Sequence, residues 1–305
     1  MHKSITLVVI AGPTASGKTA LALALAAARG GEIVNFDSVQ LYRDFDLGTA
    51  KPSPREQALA PHHLVSVADA RAPWTAGEYA RRARPVVEAI AARGRLPILV
   101  GGTGFYLRAL LEGLSPAPAS PAALRRRLQA MDPARLRRLL LRLDPDAAAR
   151  IAPADASRAV RALEVRLLSG SPQAAGWRAA PPQPWAEVRA LKLGLAPERA
   201  ALYARINRRA AEMFSGGIQE ETRRLLPRYP ADLRIWSSHG YKQACDIVLH
   251  SADPAAALTE AQQEQRRYAK RQWTWFRADP ALHWLAGFGD DPALHPSALA
   301  LLPPR

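Results

Sequence analysis

The stretch Ile5-Thr6-Leu7-Val8-Val9-Ile10-Ala11-Gly12-Pro13-Thr14-Ala15-Ser16-Gly17-Lys18-Thr19 decides the fold. Its apolar half reads as a buried strand, and Gly12 to Thr19 is a complete phosphate-binding loop, G-x-x-x-x-G-K-T. The run Ala20-Leu21-Ala22-Leu23-Ala24-Leu25 that follows is a helix former. The glycines let the backbone wrap round a phosphate, while successive N–H groups and the helix N-terminus point at it. Gly12, Pro13, Thr14, Ala15, Ser16 and Gly17 are therefore the expected cradle. Lys18 adds charge on a long stem, and the Thr19 hydroxyl is the usual magnesium ligand. The loop alone leaves the phosphate open: ATP, GTP, another phosphorylated metabolite or a pyrophosphate ester would each suit it.

Outward from the loop, strand patterns over 6–10, 32–36, 64–67 and 96–100 alternate with helix patterns over 18–29 and 77–93. Such alternation predicts an α/β fold, a parallel sheet covered by helices, with functional residues where strands end. A proline-rich break at 115–121 precedes helical patterns over 122–129, 133–142, 144–151 and 154–168. A second break, 171–184, is rich in proline and alanine. A strand over 188–193 is expected to return to the sheet, with helices from 198 to 277 and an irregular tail from 278. The expected domains are a P-loop core over 1–115, a mainly helical basic insertion over 116–185, and a return to the core over 186–305. Residues 124–166 carry eleven arginines against five carboxylates, which marks the insertion as the basic part.

The whole chain of 305 residues has a net charge of +15, which points to a polyanionic partner, RNA or DNA ahead of a membrane surface. No apolar run reaches the length of a membrane span. The opening strand leaves no room for a signal peptide. The single cysteine, Cys245, excludes an intrachain disulfide and a cysteine metal site. A cytoplasmic protein is expected.

Just past the second strand pattern stands Asp37-Ser38-Val39-Gln40-Leu41-Tyr42. Asp37 there is a candidate magnesium-binding acid, general base or helix cap. The strand at 96–100 ends in Gly101-Gly102-Thr103-Gly104 without the acid that ordinarily helps a P-loop NTPase hold magnesium. That argues against an ATPase motor and leaves Asp37 as the acid of the crevice. The glycines are expected to admit a substrate closely, with Thr103 supplying a hydroxyl. His62 and His63, adjacent on a strand, point apart and do not read as a metal pair. Near the C-terminus, Arg267, Lys270, Arg271 and Thr274 share one helical face among interleaved aromatics, a pattern suited to phosphate contacts and base stacking.

GPTASGKT at 12–19, DSVQLY at 37–42, GTAKP at 48–52, HHL at 62–64, GGTGFYLRAL at 101–110, RALEV at 161–165, GYKQ at 240–243 and RYAKRQWTWFR at 267–277 together resemble the tRNA dimethylallyltransferase (tRNA isopentenyltransferase) family. The resemblance runs over roughly residues 5–277. It implies transfer of a dimethylallyl group from dimethylallyl diphosphate to the exocyclic N6 amine of the adenine 3′ of the anticodon in tRNA. The cradled anion is then the donor's diphosphate, and a kinase on the same core would have no evident use for the charge. The resemblance makes Asp37 the general base, with Lys18, Thr19 and a Mg2+ ion near Thr19 serving the leaving group, and Arg223 a further diphosphate ligand. It assigns Asp37, Ser38, Val39, Gln40 and Thr103 to the acceptor nucleotide. It also implies tRNA contacts from Arg125, Arg158, Arg161, Gly240, Tyr241, Lys242, Gln243, Arg267 and Arg271. A monomer is expected. Two stretches depart from the family pattern: 237–239, where an apolar lead-in is usual, and 72–79.

Overall fold

Strand β1 (Ile5–Ala11) lies inside a sheet of six parallel strands in the order β3-β2-β4-β1-β5-β6. The others are β2 (Gly31–Asn35), β3 (His62–His63), β4 (Leu96–Val100), β5 (Val188–Leu195) and β6 (Leu282–Leu285). This computed structural model describes residues 4–172, 180–238 and 240–302. The middle of the 171–184 break, His239 and Pro303-Pro304 lie outside the described residues. The sheet belongs to one compact unit, Met1–Leu111 with Ala186–Arg305; Glu112–Trp185 forms another.

Around the sheet stand α1 (Lys18–Arg29), α2 (Pro54–Leu59), α3 (Ala76–Ala92), α4 (Gly104–Leu111), α9 (Arg199–Ser215), α10 (Ile218–Leu225), α11 (Tyr241–His250), α12 (Pro254–Arg277) and α13 (Leu294–Ala300). Val8 and Ile10 of β1 pack with Leu21 and Leu25 of α1 and with Leu294 and Ala298 of α13. The alternating Leu7 and Val9 are fully buried as well, as a sheet covered on both faces requires. α3 starts at a Thr75 cap and sends the Tyr79 hydroxyl to the Asn35 carbonyl at the end of β2.

Two expectations change. The 64–67 strand does not form, because Leu64 and Ser66 take left-handed φ values of 60° and 54° that no strand accepts. The pairing shifts to His62–His63. The tail is not irregular: β6 pairs with β5, and α13 closes the hydrophobic cluster beneath β1.

Among its described residues the second unit holds four helices, α5 (Ala122–Gln129), α6 (Pro133–Leu143), α7 (Pro145–Arg150) and α8 (Ala156–Ser169). Asp132, Asp144 and Asp155 cap three of them through side-chain oxygens. Leu128, Leu136, Leu140, Ile151, Val160 and Leu163 form its core. Glu164 is fully buried beside that core. The Arg125 guanidinium grips it in two hydrogen bonds of 2.7 and 2.9 Å, and Arg161 adds a third at 3.1 Å. Burial alone would raise the Glu164 pKa, but these bonds hold it below the ordinary value. Its contribution is therefore present at neutral pH and lost as pH falls through the lowered folded-state value. Glu164→Gln is expected to destabilise this unit by about 2 kcal/mol at neutral pH, a moderate figure because both arginines keep solvent access. Denaturant unfolding of the full chain, followed at neutral and acid pH, checks this; the deficit should shrink in acid.

Candidate active site

Gly12 to Thr19 joins the C-terminal end of β1 to α1. Gly17 caps α1 in a left-handed conformation without a side-chain acceptor, so the first-turn N–H groups face outward for an anion. Ala15 is also left-handed, at φ 64°, which costs an alanine about 1 kcal/mol. Packing holds it there, against a cluster of Leu202, Ile206 and Ala269 with Tyr203, Trp273 and Phe288. The Lys18 ammonium donates to the carbonyls of Gly12 and Pro13 at 3.2 and 2.7 Å, curling the loop round its stem.

Two helices from the C-terminal half complete the loop. Arg209 of α9 donates to the Thr14 hydroxyl at 2.6 Å and reaches Gln265 of α12 at 3.3 Å. Gln272 of α12 accepts from the Thr14 N–H at 2.7 Å and donates to the Gly102 carbonyl at 3.0 Å. That one amide ties the cradle to the end of β4. A Cβ on Gly102 would stand 2.0 Å from Gln272 Nε2 and 3.5 Å from Asp37 Oδ2, and one on Gly104 would stand 2.0 Å from Trp275 Nε1. Gly102 and Gly104 therefore make room for the side chains of Gln272 and Trp275.

Asp37 follows β2 and sits beside Gly102. Its Oδ1 accepts from the Val39 N–H at 3.1 Å, and Ser38 N–H donates to the Thr103 hydroxyl at 3.0 Å. The Thr103 hydroxyl in turn donates to Ser38 Oγ. Asp37, Ser38, Val39 and Thr103 are thus brought together as expected from the sequence. Although Asp37 as a residue is only half-buried, the cleft around its carboxyl strips enough hydration to push the pKa up. The Val39 N–H, Lys18, the Gln40 N–H and Arg209 oppose that rise. Burial lowers Lys18 to about 8, with Asp37 raising it and Arg209 lowering it. Burial likewise lowers Arg209 to about 10, with Asp37 raising it. Two enclosed cations thus face one acid. Ser16 Oγ and Arg209 Nε are buried without a protein partner among the described residues. The surplus of positive charge and unpaired donors suits an anion of several oxygens.

Other assigned residues are placed differently. Arg223 stands on the solvent face of α10, opposite buried Ile218, Glu221, Thr222 and Leu225, and pairs with Glu220 at 3.1 Å. The arginine at the loop is Arg209. Gly240, Tyr241 and Gln243 are buried: the Tyr241 ring packs on Phe45 and Trp236, and Gln243 accepts from the Gly240 N–H. Of that motif Lys242 alone reaches solvent, where it pairs with Glu260 at 2.7 Å. Arg125 and Arg161 are engaged by Glu164. Arg158 is exposed, with Asp155 at 3.4 Å. Arg267, Lys270, Arg271 and Thr274 line the solvent face of α12. His63 pairs with Glu32, whereas His62 bonds the Ala60 carbonyl, so the two diverge.

Arg209, Gln265 and Gln272 went unassigned in the sequence, though a signal was there. Arg209 continues the apolar stripe of Leu202 and Ile206, and the two glutamines fall on the stripe of Ala261, Ala269 and Phe276. A polar residue on a core stripe has a partner to meet.

A parallel sheet, an anion cradle at the helix N-terminus after β1 and an enclosed carboxyl past β2, with β4 between the two strands, define a P-loop protein with a phosphate-binding site. The model of the IPP transferase family matches residues 40–279. The tRNA dimethylallyltransferase of Koribacter versatilis is 50% identical over 300 residues, covering 97% of each chain. That of Myxococcus xanthus is 48% identical over 92% of each. Among solved structures, the tRNA isopentenylpyrophosphate transferase of Bacillus halodurans superposes with a TM-score of 0.71 at 33% identity, covering 99% of this chain and 97% of that one. A eukaryotic dimethylallyltransferase acting on tRNA gives 0.80 at 25% identity, over 98% of this chain and 78% of that one. The chain belongs to the tRNA dimethylallyltransferase, or IPP transferase, family.

Proposed function

We propose that the protein transfers the dimethylallyl group of dimethylallyl diphosphate to the N6 amine of the adenine 3′ of the anticodon in tRNA. The observation that carries this reading is one enclosed acid, Asp37, facing Lys18 and Arg209 across the end of β4. The adenine amine is a weak nucleophile, since its lone pair is delocalised into the ring. The C–N bond forms as the donor's C–O bond breaks; Asp37 takes the amine proton, and the bonding pair leaves with the diphosphate. Lys18, Arg209 and the α1 N-terminus stabilise the charge that grows there. The base must leave the anticodon-loop stack to reach Asp37, and the exposed Arg267 and Arg271 of α12 and Arg158 of α8 are free of the core to meet phosphates.

Magnesium fits the oxygen donors present. Ser16, Thr19 and Asp37 offer hard ligands, and among the described residues no group of three His, Cys, Asp or Glu offers a competing metal site. We assign Thr19 to hold the ion, which when bound would supply positive charge at the diphosphate. No helix among the described residues is long and apolar enough to cross a membrane; the proposed tRNA substrate is what places the enzyme in the cytoplasm. The cradle and base come from a single chain, so we propose a monomer.

Incubating the protein with donor and unmodified tRNA, then weighing the nucleosides, tests the reading. Adenosine gaining a five-carbon unit supports it; ATP hydrolysis without transfer rejects it. The pH profile adds a check. As pH rises through about 8, Lys18 of the ligand-free enzyme loses its proton. We expect kcat/KM for the donor to fall roughly tenfold per pH unit above that point, because this parameter reports the free enzyme. Steady-state rates at limiting donor check it.

A further inference from the structure

Two motifs of the sequence, GTAKP at 48–52 and GYKQ at 240–243, take no part in the mechanism above, yet the structure joins them. Glu221 of α10 is buried, on a helix whose neighbouring acid Glu220 is exposed. A buried carboxylate needs partners. Among the described residues Glu221 has two hydrogen-bond partners: the Leu47 N–H donates to both its oxygens at 3.2 Å, and the Tyr241 hydroxyl donates to Oε1. Burial beside that carboxylate pushes the Tyr241 pKa up, so the phenol stays protonated as a donor.

The Tyr241 ring also sets the turn by contact. A Cβ on Gly48 would stand 2.5–2.7 Å from three carbons of that ring. The turn so held presents the carbonyls of Thr49 and Ala50 to the side-chain amide of Gln40, at 3.3 and 2.9 Å. Gln40 stands three residues beyond Asp37 in the same turn, and its N–H also supports the Asp37 carboxylate. Contacts therefore run from Glu221 and Tyr241 through Leu47–Ala50 to Gln40 and the acid. The donor side is held by a different set: Lys18, Arg209 and Gln272.

We infer that Glu221 and Tyr241 are positioning residues for the acceptor half of the site: they fix the segment 37–40 that faces the incoming nucleotide and leave the diphosphate cradle untouched. This rests on the functional reading above. Tyr241 acts through the turn, not by touching tRNA.

The test compares wild-type protein with Tyr241→Phe, which removes one hydroxyl and keeps the ring, and with Gly48→Ala, which pushes the turn off the ring. Rates are measured by varying an anticodon stem-loop and dimethylallyl diphosphate in turn. Both variants are expected to lower kcat/KM for the stem-loop about tenfold while KM for the donor stays within about twofold, a split that general loosening of the fold would not produce. An unchanged kcat/KM for the stem-loop in both overturns the inference, as does a donor KM that rises in step. Wild-type protein that transfers nothing overturns the functional reading itself, and is told apart by that control.

Discussion

Asp37→Asn should lower turnover by about 10²–10⁴-fold, the usual worth of a general base. The substitution keeps the shape of the side chain and an oxygen to accept from the Val39 N–H, so the turn after β2 is expected to stand. What disappears is the group that receives the amine proton as the C–N bond forms. Two controls separate this from a binding defect. Affinity for tRNA should change by no more than a few-fold. At a pH low enough for Lys18 to keep its proton, the KM for dimethylallyl diphosphate should not rise, because removing a negative charge beside Lys18 and Arg209 leaves the cradle more attractive to an anion. In the wild type, burial lifts the Asp37 pKa above the ordinary carboxylate range, which makes it a better proton acceptor near neutrality. Activity should therefore fall toward acid pH at a higher value than a solvent-exposed aspartate would give, and the Asn variant should lose that acid limb. A loss of tRNA binding as large as the loss of turnover would count against the base assignment.

Arg209→Ala should cost about 10²–10³-fold in kcat, in line with deletion of one donor aimed at developing negative charge. The guanidinium is enclosed and faces the Asp37 carboxylate, and among the described residues its Nε has no protein partner. It also fixes the Thr14 hydroxyl, so deletion frees the loop as well as removing charge. Arg209→Lys should recover part of the rate, since an ammonium supplies the charge without the fork. Arg223→Ala, by contrast, should leave rates within about twofold, as expected of an exposed side chain in a surface pair. Single-turnover rates at saturating donor separate the two arginines. A strong loss at Arg223 with none at Arg209 would reverse the assignment.

The legible part of the molecule is where local rules agree. β1, the glycine loop and α1 state their structure residue by residue, since strand period, loop glycines and helix propensity point the same way. The place of Asp37 is legible because it directly follows a strand whose C-terminal end faces the phosphate crevice. α2 was missed although Ser53-Pro54-Arg55-Glu56 carries its start signal, a capping box with proline at the first helical position. The tail was misread because β6 is four residues long and depends on β5 for its hydrogen bonds, which no local pattern reports. Arg209 and Gln272 were hidden for a related reason. Their places on core stripes announce that each has a partner, but the partner itself, Thr14, comes from a loop more than 190 positions earlier, which no local pattern names. Arg223 attracted the diphosphate role by its place in a motif, but helical periodicity turns it outward.

The amide of Gln272 spans from the cradle to Gly102, and that bond has a bearing on how the enzyme comes into being. On the ribosome the phosphate loop is made 258 residues before the side chain that steadies it. The nascent loop therefore waits, unbraced, until α12 is made and docks.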